Sequence, residues 1–514
     1  MSNTTWVPGR DRRAVRHRAP AGAAAVPGTP RRVVVAGGGI AGIAAAVGLA
    51  ERGVEVVLVE KHHQLGGRVR AWPIEDGTGD GRTMSRGFHA FFRQYYNLRA
   101  LLRRVDPALA GLTGVADYPL VLAGGHADSF AAIPRTPPVN LAAFVLRSPS
   151  FTARDLTRVD IPAALELLDV DFPATFSAYD GESAAQFLDR LRFPEKARHL
   201  ALEVFARSFF ARPADFSAGE LVAMFHTYFV GSSEGLLFDV PVDDYDTVFW
   251  APLHRYLTAR GVQVLTDDIV DTVELSGADS VSVLLGSGAV VQADALVLAT
   301  DPATTRRLVA QAPDLGDADW RERIAAGGNA PRFGVWRLWL DTPVAAERAA
   351  FLGTSGYGLL DNVTVLERFE AGAARWAAAH GGSVVELHAY ALPDDIDAAA
   401  VQLDLREQLA LVYPETRGAG VLAQELLIEG DCPLIGTSQW VRRPEVSTPD
   451  PRVLLAGDGI RCDLPVALME RAATTGFLAA NTLLERWDTA GHDLWTVPMR
   501  GRIPAIAAAR RLLA

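Results

Sequence analysis

Two glycine-marked strand–turn–helix patterns, one near each end of the chain, constrain the fold more than any other feature. Residues 33–35 are three consecutive valines, and such a β-branched run predicts a strand buried on both faces of a parallel sheet. The next turn contains Gly37, Gly39 and Gly42, which permit a tight turn, a close backbone approach to a pyrophosphate and close helix-to-strand packing. Residues 41–50 then predict a helix whose N-terminal amides face the phosphates. This pattern predicts a dinucleotide site.

The acid expected in such a site follows a second predicted strand. Residues 54–59 predict this strand, and Glu60 comes directly after it, eighteen residues beyond Gly42. A carboxylate at this distance accepts ribose hydroxyls, and its charge disfavours a 2′-phosphate. The residues predicted to contact the dinucleotide from this half are Gly37, Gly39, Ile40, Ala41, Gly42, Glu60 and Lys61.

Two further segments favour FAD over a nicotinamide dinucleotide. Just after the acid comes a second glycine pair, which allows close backbone approach, followed by a guanidinium that can form charge-assisted bonds to the cofactor. Near the end of the chain, residues 452–456 predict a strand leading into a glycine and an aspartate that can accept hydrogen bonds from a ribityl chain. A helix predicted after Pro465 would begin beside the flavin and stabilise its reduced anion. The predicted contacts on this side are Gly66, Gly67, Arg68, Gly87, Phe88, Val270, Gly457, Asp458 and Met469.

Chain length and the order of the predicted elements indicate two domains. A chain of 514 residues exceeds what one hydrophobic core normally serves. We predict an α/β fold whose Rossmann-like FAD-binding domain is discontinuous and comprises residues 31–105, 245–310 and 441–490. Residues 106–244 and 311–440 would form an α+β substrate-binding domain over the flavin, and residues 491–514 a C-terminal extension. Capping patterns that begin at Ser183 and Ser217 predict two helix starts in the first insertion.

Composition restricts the partners and the compartment. A net charge of −11 argues against nucleic acid as the main partner. The two cysteines, Cys432 and Cys462, have no metal-ligand spacing and suit a reducing, cytoplasmic compartment. No apolar run reaches the length of about 18 residues expected of a spanning helix. Residues 1–30 carry several arginines and predict a disordered basic tail that could approach an anionic membrane surface.

The segment between residues 86 and 98 carries a family resemblance. Its run Gly87-Phe88-His89-Ala90-Phe91-Phe92, followed by Tyr96-Asn97-Leu98 and preceded by Leu65-Gly66-Gly67-Arg68, resembles the carotene desaturases of plants and cyanobacteria. So does Gly457-Asp458 with Pro465 and Met469-Glu470 behind it. These enzymes belong to the amine-oxidase-like flavoproteins, and within them the chain is most similar to actinobacterial isorenieratene synthases, also called β-carotene desaturase/methylases. The resemblance covers residue 31 to the C-terminus.

The resemblance implies a fold of the glutathione-reductase/amine-oxidase type and an FAD-dependent enzyme. The implied reaction converts β-carotene rings to aromatic rings by hydride abstraction, methyl migration and desaturation. A carotenoid substrate also implies peripheral contact with a membrane surface. No second dinucleotide fingerprint is present for a nicotinamide, so we expect a quinone or oxygen to be the electron acceptor.

One departure from the family pattern keeps alternatives open. The ζ-carotene desaturases carry an acidic residue two positions before their Gly-x-His, where this chain has Ser85. This departure weakens the inference that the chain desaturates linear carotenes, and it is compatible with a relative that modifies the ring. A linear carotene desaturase of the ζ-carotene or phytoene type and an amine oxidase are the alternative oxidoreductases, and a prenyl-protein escort is the non-enzymatic alternative.

Few side chains are available for proton chemistry. His89 is the first candidate for taking a proton or holding the flavin, because imidazole titrates near neutral pH. The alternative, which we favour slightly, is a structural histidine that hydrogen-bonds backbone beside the cofactor. Arg86 and Tyr96 could equally orient the ring system or simply pack. Glu386 and His388 alternate on a predicted strand and suit a structural role. An aromatic cluster indicates a core whose rings could in part line a substrate tunnel, and its members are Phe205, Phe209, Phe210, Phe216, Phe225, Tyr228 and Phe229.

Overall fold

The computed structural model describes residues 11–75, 77, 79–131, 133–147, 157–192, 209–277 and 280–502. Its strands are β1 (Val15–His17), β2 (Arg32–Ala36), β3 (Glu55–Val59), β4 (Ala71–Pro73), β5 (Thr83–Ser85), β6 (Phe91–Phe92), β7 (Leu112–Gly114), β8 (Leu120–Leu122), β9 (His126–Asp128), β10 (Phe238–Pro241), β11 (Gln263–Leu265), β12 (Val270–Ser276), β13 (Ser280–Leu285), β14 (Val290–Ala293), β15 (Ala295–Leu298), β16 (Phe333–Leu340), β17 (Phe351–Ser355), β18 (Asn362–Val365), β19 (Ser383–Ala389), β20 (Val421–Glu429), β21 (Val453–Leu455) and β22 (Leu494–Thr496). Its α-helices are Ile40–Ala50, Tyr96–Leu102, Val139–Arg147, Ile161–Glu166, Ala174–Ser177, Ala184–Leu191, Ala218–Phe225, Ala251–Thr258, Pro302–Gln311, Ala318–Ala325, Ala371–His380, Ala398–Val412 and Leu468–Arg486.

A five-stranded parallel sheet forms the base of the fold, with the order β11-β3-β2-β15-β21. The valines of β2 are fully buried, as expected of a central strand covered on both faces. Helices Ile40–Ala50 and Leu468–Arg486 pack closely against each other on one side of the sheet. Small residues permit this approach, because a Cβ at Gly476 would lie 2.2 Å from the carbonyl oxygen of Ala41.

A second, seven-stranded sheet has the order β20-β16-β19-β18-β17-β8-β9 and is antiparallel except for the β17–β8 pair. Every residue of β16, β18 and β19 is buried. The register places Arg337 opposite Glu386 and Asn362 opposite His388. Polar side chains therefore occupy neighbouring positions in the middle of a buried sheet.

The strands of the two sheets come from the segments that the sequence analysis assigns to two domains. The parallel sheet draws its strands from 31–105, 245–310 and 441–490, and the seven-stranded sheet from 106–244 and 311–440. The exact domain boundaries stay predictions. Of the two predicted helix starts, Ser183 forms a full capping box with Gln186. Ser217 also caps its helix, but the Glu220 carboxylate bonds Arg443 and Arg471 instead of closing the box.

The prediction of a disordered tail over residues 1–30 is wrong for the described part of that segment. β1 pairs antiparallel with β22 of the C-terminal extension, and Arg16 forms an ion pair with Asp493. Asp11 is buried and accepts a hydrogen bond from the Tyr96 hydroxyl at 3.1 Å. The prediction failed because the partners of β1 lie more than 470 residues away in the sequence. Residues 1–10 lie outside the described part of the chain.

Within the described residues, no helix has both the length and the apolar character needed to cross a membrane.

Candidate active site

A cavity of about 990 Å³ lies between the parallel sheet and the seven-stranded sheet. Ala36, Glu60, Ala299 and Gly457, which lie at or just beyond the carboxyl ends of four parallel strands, line one side of the cavity. Residues from one face of the seven-stranded sheet line the other side. Open parallel sheets bind their ligands at this edge. The two sheets thus enclose a single candidate site.

The turn after β2 has the space that a pyrophosphate requires. Gly37 adopts a φ of +103°, which favours glycine, and a Cβ at Gly42 would lie 1.8 Å from the Gly37 carbonyl oxygen. Gly39 differs, because the nearest atom to a Cβ there would be Gly67 Cα at 3.8 Å. No side chain caps the helix that begins after Gly39. Open space beside an uncapped helix N-terminus fits the phosphates of FAD.

The carboxylate of Glu60 is fixed at the end of β3 and lines the cavity. Its Oε2 accepts the backbone N–H of Gly38 at 2.7 Å, and its Oε1 accepts that of His62 at 3.0 Å. Burial raises the pKa of Glu60. Each carboxylate oxygen keeps a lone pair for a further donor, so this arrangement suits the predicted contact with ribose hydroxyls.

Two ion pairs also line the cavity. Arg68 pairs with Asp458, and Arg86 binds Asp431 through two hydrogen bonds of 2.9 and 2.6 Å. Burial would raise the pKa of Asp431, but Arg86 and Arg68 outweigh it and hold the pKa below its ordinary value. No motif surrounds Asp431 in the sequence, so its place in the site was not predicted.

The three predicted catalytic residues have different surroundings. His89 lines the cavity, and its Nδ1 lies 2.7 Å from the Gly87 carbonyl oxygen, so Nδ1 carries the proton and donates it. Burial lowers the pKa of His89 to about 4, which keeps the ring neutral. Arg86 also lines the cavity but is bound to Asp431. Tyr96 is fully buried against Asp11, away from the cavity, and the structure contradicts its predicted role in orienting the ring system.

The structure brings most of the predicted cofactor residues to one cavity. The predicted residues that line it are Gly37, Gly39, Ile40, Ala41, Glu60, Lys61, Gly66, Gly67, Arg68, Phe88, Val270, Gly457, Asp458 and Met469. Gly42 and Gly87 do not line it. Gly42 instead allows the helix to pack on the turn. Gly87 lies against the His388 ring, and a Cβ at Gly87 would be 2.6 Å from the His388 Cε1 atom.

An aromatic wall continues from the flavin-side residues. Phe88 stacks on Phe351 with ring centroids 4.4 Å apart, and Phe92 lies 5.3 Å from Phe238. Of the aromatic cluster in the first insertion, Phe209, Phe210 and Tyr228 line the cavity, whereas Phe216, Phe225 and Phe229 belong to the core. Phe205 lies outside the described residues. This part of the cavity suits a hydrocarbon.

A row of polar side chains on the seven-stranded sheet, mostly buried, also reaches the cavity. Arg337 binds Glu386 at 2.6 Å, and His388 Nε2 lies 2.9 Å from the other Glu386 oxygen. His388 Nδ1 lies 2.7 Å from the Tyr390 hydroxyl, which also accepts the Asn362 amide at 3.1 Å. Burial would raise the pKa of Glu386, but Arg337 and His388 outweigh it and lower the pKa to about 2. The alternation of Glu386 and His388 was visible in the sequence, but the role of Tyr390 and the partners on neighbouring strands were not.

In the part of the chain that the structure describes, no group of three or more His, Cys, Asp or Glu side chains could hold a metal ion. Cys432 and Cys462 are both buried free thiols.

Comparisons with known proteins agree with this geometry. The model of the family described as flavin containing amine oxidoreductase matches residues 40–484. A carotenoid phi-ring synthase from Streptomyces griseus is 56% identical over 506 residues, which cover 98% of this chain and 97% of that protein. A carotenoid phi-ring synthase from Chlorobaculum tepidum is 26% identical over 92% of this chain and 91% of its own length.

Solved structures show the same fold at low identity. A wild-type putrescine oxidase bound to putrescine superposes with a TM-score of 0.65 at 16% identity, covering 90% of this chain and 100% of that one. A cyclohexylamine oxidase from Brevibacterium oxydans has a TM-score of 0.65 at 14% identity, over 89% of this chain and 99% of that one.

Proposed function

The chain belongs to the flavin-containing amine oxidoreductases, and from this premise we propose that it converts the β-rings of β-carotene to aromatic φ-rings, the reaction of an isorenieratene synthase. It is an FAD-dependent oxidoreductase of α/β fold. The observation that carries the proposal is a single cavity in which a glycine cradle for a dinucleotide meets an aromatic wall. The 56% identity to a carotenoid phi-ring synthase supports it.

The residues at the dinucleotide end fit FAD. We assign the pyrophosphate to the space above Gly39 and the ribose hydroxyls to Glu60, and the ribityl side to Arg68 and Asp458. When bound, FAD supplies the oxidising power by accepting a hydride from the substrate. The protein contributes the binding site, the orientation of the ring and the exclusion of water.

The proposed conversion balances without a methyl donor. A ring C–H bond loses its hydrogen as a hydride, and a geminal methyl group moves with its electron pair to the neighbouring cationic carbon. Loss of a proton then forms a double bond. A second loss of a hydride and a proton completes the aromatic ring. Each ring therefore loses two hydrides and two protons, and the methyl group that moves comes from the same ring.

The cavity wall suits such a substrate for two reasons. A carotene offers no polar handle, so its binding energy comes from buried hydrocarbon, at roughly 25 cal/mol per Å². Phe88, Phe92 and Phe351 line the cavity, and we propose that the negative π density of these rings stabilises positive charge on the substrate ring. His89, which is neutral, is proposed to contact the substrate or the flavin edge.

The site of action and the electron acceptor follow from the substrate. We propose that the protein takes its carotenoid from the cytoplasmic surface of a membrane. This proposal concerns contact with the surface, because no helix among the described residues is long and apolar enough to cross a membrane. We propose a quinone or oxygen as the acceptor that reoxidises the flavin. Anaerobic turnover with an added quinone would test this proposal, and a strict requirement for a nicotinamide would contradict it.

A linear-carotene desaturase is the second candidate. A zeta-carotene desaturase from Synechocystis is 43% identical over 74 residues, but these cover only 14% of this chain. Ser85, which replaces the acid of that family, hydrogen-bonds Arg337 at 2.8 Å and belongs to the buried polar row. The likeness to amine oxidases at 16% identity extends to the fold alone. A prenyl-protein escort is not retained, because the chain is an oxidoreductase.

Pigment analysis tests the proposed function. The protein is produced in two bacterial strains, one accumulating β-carotene and one accumulating ζ-carotene, each with an empty-vector control. We expect aromatic end rings in the first strain and unchanged pigment in the second. Desaturation of ζ-carotene with unchanged β-carotene would replace the proposal by the linear desaturase. Unchanged pigment in both strains, with FAD-loaded protein present, would refute both.

A further inference from the structure

We propose that Tyr390 and His388 form the relay that accepts a proton lost by the ring, with Glu386 and Arg337 positioning the imidazole. This inference rests on the proposed function and names the group that its proton-loss steps require. A hydrocarbon substrate has no use for a buried ionic row as a binding partner. Only His388 and Tyr390 of this row line the cavity, and the ion pair of Glu386 and Arg337 lies buried behind them, an arrangement that suits proton transfer better than substrate binding.

The relay residues lie on β16 and β19 of the seven-stranded sheet and at Tyr390, which follows β19. Glu386 and His388 alternate on β19, so their side chains point to the same face, and Tyr390 continues that alternation beyond the strand end. His388 and Tyr390 line the cavity, whereas Glu386 is fully buried behind them. The order from the cavity inward is Tyr390, His388, Glu386 and Arg337.

The charge of Glu386 fixes the tautomer of His388. Arg337, which is 2% exposed, keeps Glu386 ionised, so the carboxylate accepts and His388 Nε2 carries the proton at the 2.9 Å contact. The Phe88 backbone N–H also donates toward Nε2, at 3.2 Å, and we assign the Nε2 proton to the shorter contact with the charged carboxylate. Nδ1 is then the acceptor for the Tyr390 hydroxyl at 2.7 Å. Burial raises the pKa of Tyr390, which keeps this hydroxyl protonated and able to donate.

The proton step balances within these residues. As the ring C–H bond breaks, its electron pair forms the ring double bond and its proton passes to the Tyr390 oxygen. The original hydroxyl proton passes at the same time to His388 Nδ1. The products are a neutral tyrosine and an imidazolium whose charge the adjacent Glu386 carboxylate stabilises. The imidazolium later releases its proton to water, which restores the starting state.

His89 is the competing acceptor, and its surroundings disfavour the role. Its Nδ1 donates to the Gly87 carbonyl oxygen, and among the residues that the structure describes no carboxylate hydrogen-bonds the imidazole. An imidazolium formed there would lack the direct carboxylate contact that Glu386 gives to His388.

Three variants of the FAD-loaded full-length protein test the relay. Tyr390→Phe removes only the hydroxyl, and His388→Gln can keep hydrogen bonds to both neighbours but cannot carry the proton. Thr364→Val is the matched control, because Thr364 is buried opposite Glu386, its hydroxyl has no hydrogen-bond partner among the described residues, and it does not line the cavity. Each variant is assayed for aromatic product from β-carotene, for kcat and KM separately, and for the ratio of rates in H₂O and D₂O.

We expect Tyr390→Phe and His388→Gln to lower kcat by about 10²-fold or more, as for loss of a general base, with KM nearly unchanged. The wild type should turn over more slowly in D₂O, and Tyr390→Phe should lose that solvent isotope effect. Thr364→Val should match the wild type in all three readouts.

Three results would overturn the relay. The first is folded, FAD-loaded Tyr390→Phe or His388→Gln with wild-type kcat, and the second is a solvent isotope effect that persists in Tyr390→Phe. The third is a folded, FAD-loaded His89→Gln variant whose kcat falls by about 10²-fold or more and whose residual turnover shows no solvent isotope effect, while Tyr390→Phe keeps both at the wild-type value. A wild-type protein that forms no aromatic ring refutes the proposed function itself, so the two failures are distinguishable.

Discussion

Two glycines three residues apart in the first turn allow FAD binding to be separated from folding. A Cβ at Gly39 would have no atom closer than 3.8 Å, and the Gly39 φ of −77° suits alanine. A Cβ at Gly42 would lie 1.8 Å from the Gly37 carbonyl oxygen, so the turn or the helix would have to move. We expect Gly39→Ala to impair the cofactor site alone and Gly42→Ala to impair the fold as well.

The magnitudes follow from these distances. At Gly39 the methyl group occupies space assigned to the pyrophosphate and prevents at least one hydrogen bond to a charged oxygen, worth about 1.5–3 kcal/mol. That loss weakens the Kd for FAD by roughly 10- to 150-fold. The free energy of unfolding of the FAD-free protein should change by less than about 0.5 kcal/mol. At Gly42 the overlap should cost about 1–3 kcal/mol in that free energy.

Titration of the FAD-free protein with FAD, followed by flavin fluorescence, measures the Kd, and urea unfolding measures stability. Gly39→Ala should bind FAD weakly while unfolding at the wild-type urea concentration. A Gly39→Ala variant with wild-type FAD affinity would refute the assignment of this space to the pyrophosphate. A Gly42→Ala variant with wild-type stability would show that the turn adapts more easily than its packing indicates.

Three further predictions concern stability. Burial lowers the pKa of His226 to about 4, so between pH 6.5 and pH 4 the unfolded chain binds a proton that the folded protein excludes. The contribution of His226 to the free energy of unfolding is therefore fully present above pH 6.5 and is lost as the pH falls toward 4. In urea unfolding, His226→Gln should reduce the slope of stability against pH in this range by about 1.4 kcal/mol per pH unit. Arg337→Met should cost about 3–5 kcal/mol in the same assay because it leaves Glu386 buried without its partner, and adding Glu386→Gln should recover much of the loss; equal stabilities for the single and double variants would contradict this. Deletion of residues 1–18 removes β1 and the Arg16–Asp493 pair and should lower the free energy of unfolding by about 1–3 kcal/mol, whereas a disordered tail would give no change.

Local chemistry explains what could be predicted. The turn at Gly37, Gly39 and Gly42 depends on residues within one short segment. Each glycine there has its own local reason, which is a positive φ at Gly37, open space at Gly39 and close packing at Gly42. The strands at 33–35 and 54–59 follow from runs of β-branched residues that suit only a buried parallel sheet. These patterns were sufficient to indicate the sheet, the dinucleotide cradle and the acid at Glu60.

The ion pairs that line the cavity and those of the N-terminal strand could not be predicted in this way. Arg86 and Asp431 are 345 residues apart, Arg68 and Asp458 are 390 apart, and Arg16 and Asp493 are 477 apart. Each pair depends on how distant strands and loops meet, and a charged residue in the sequence carries no mark of its partner. The role predicted for Tyr96 failed for the same reason, because Asp11 became its partner.

The sequence alone thus determined the cofactor half of the molecule, since backbone conformation and hydrophobic pattern are local properties. The tertiary structure decided which polar side chains meet. Glu386 and His388 were visible as an alternating pair, but only the register of β16, β18 and β19 placed Arg337 opposite one and Asn362 opposite the other. Burial then gave those contacts their energetic weight, because charges removed from water must find their partners within the fold.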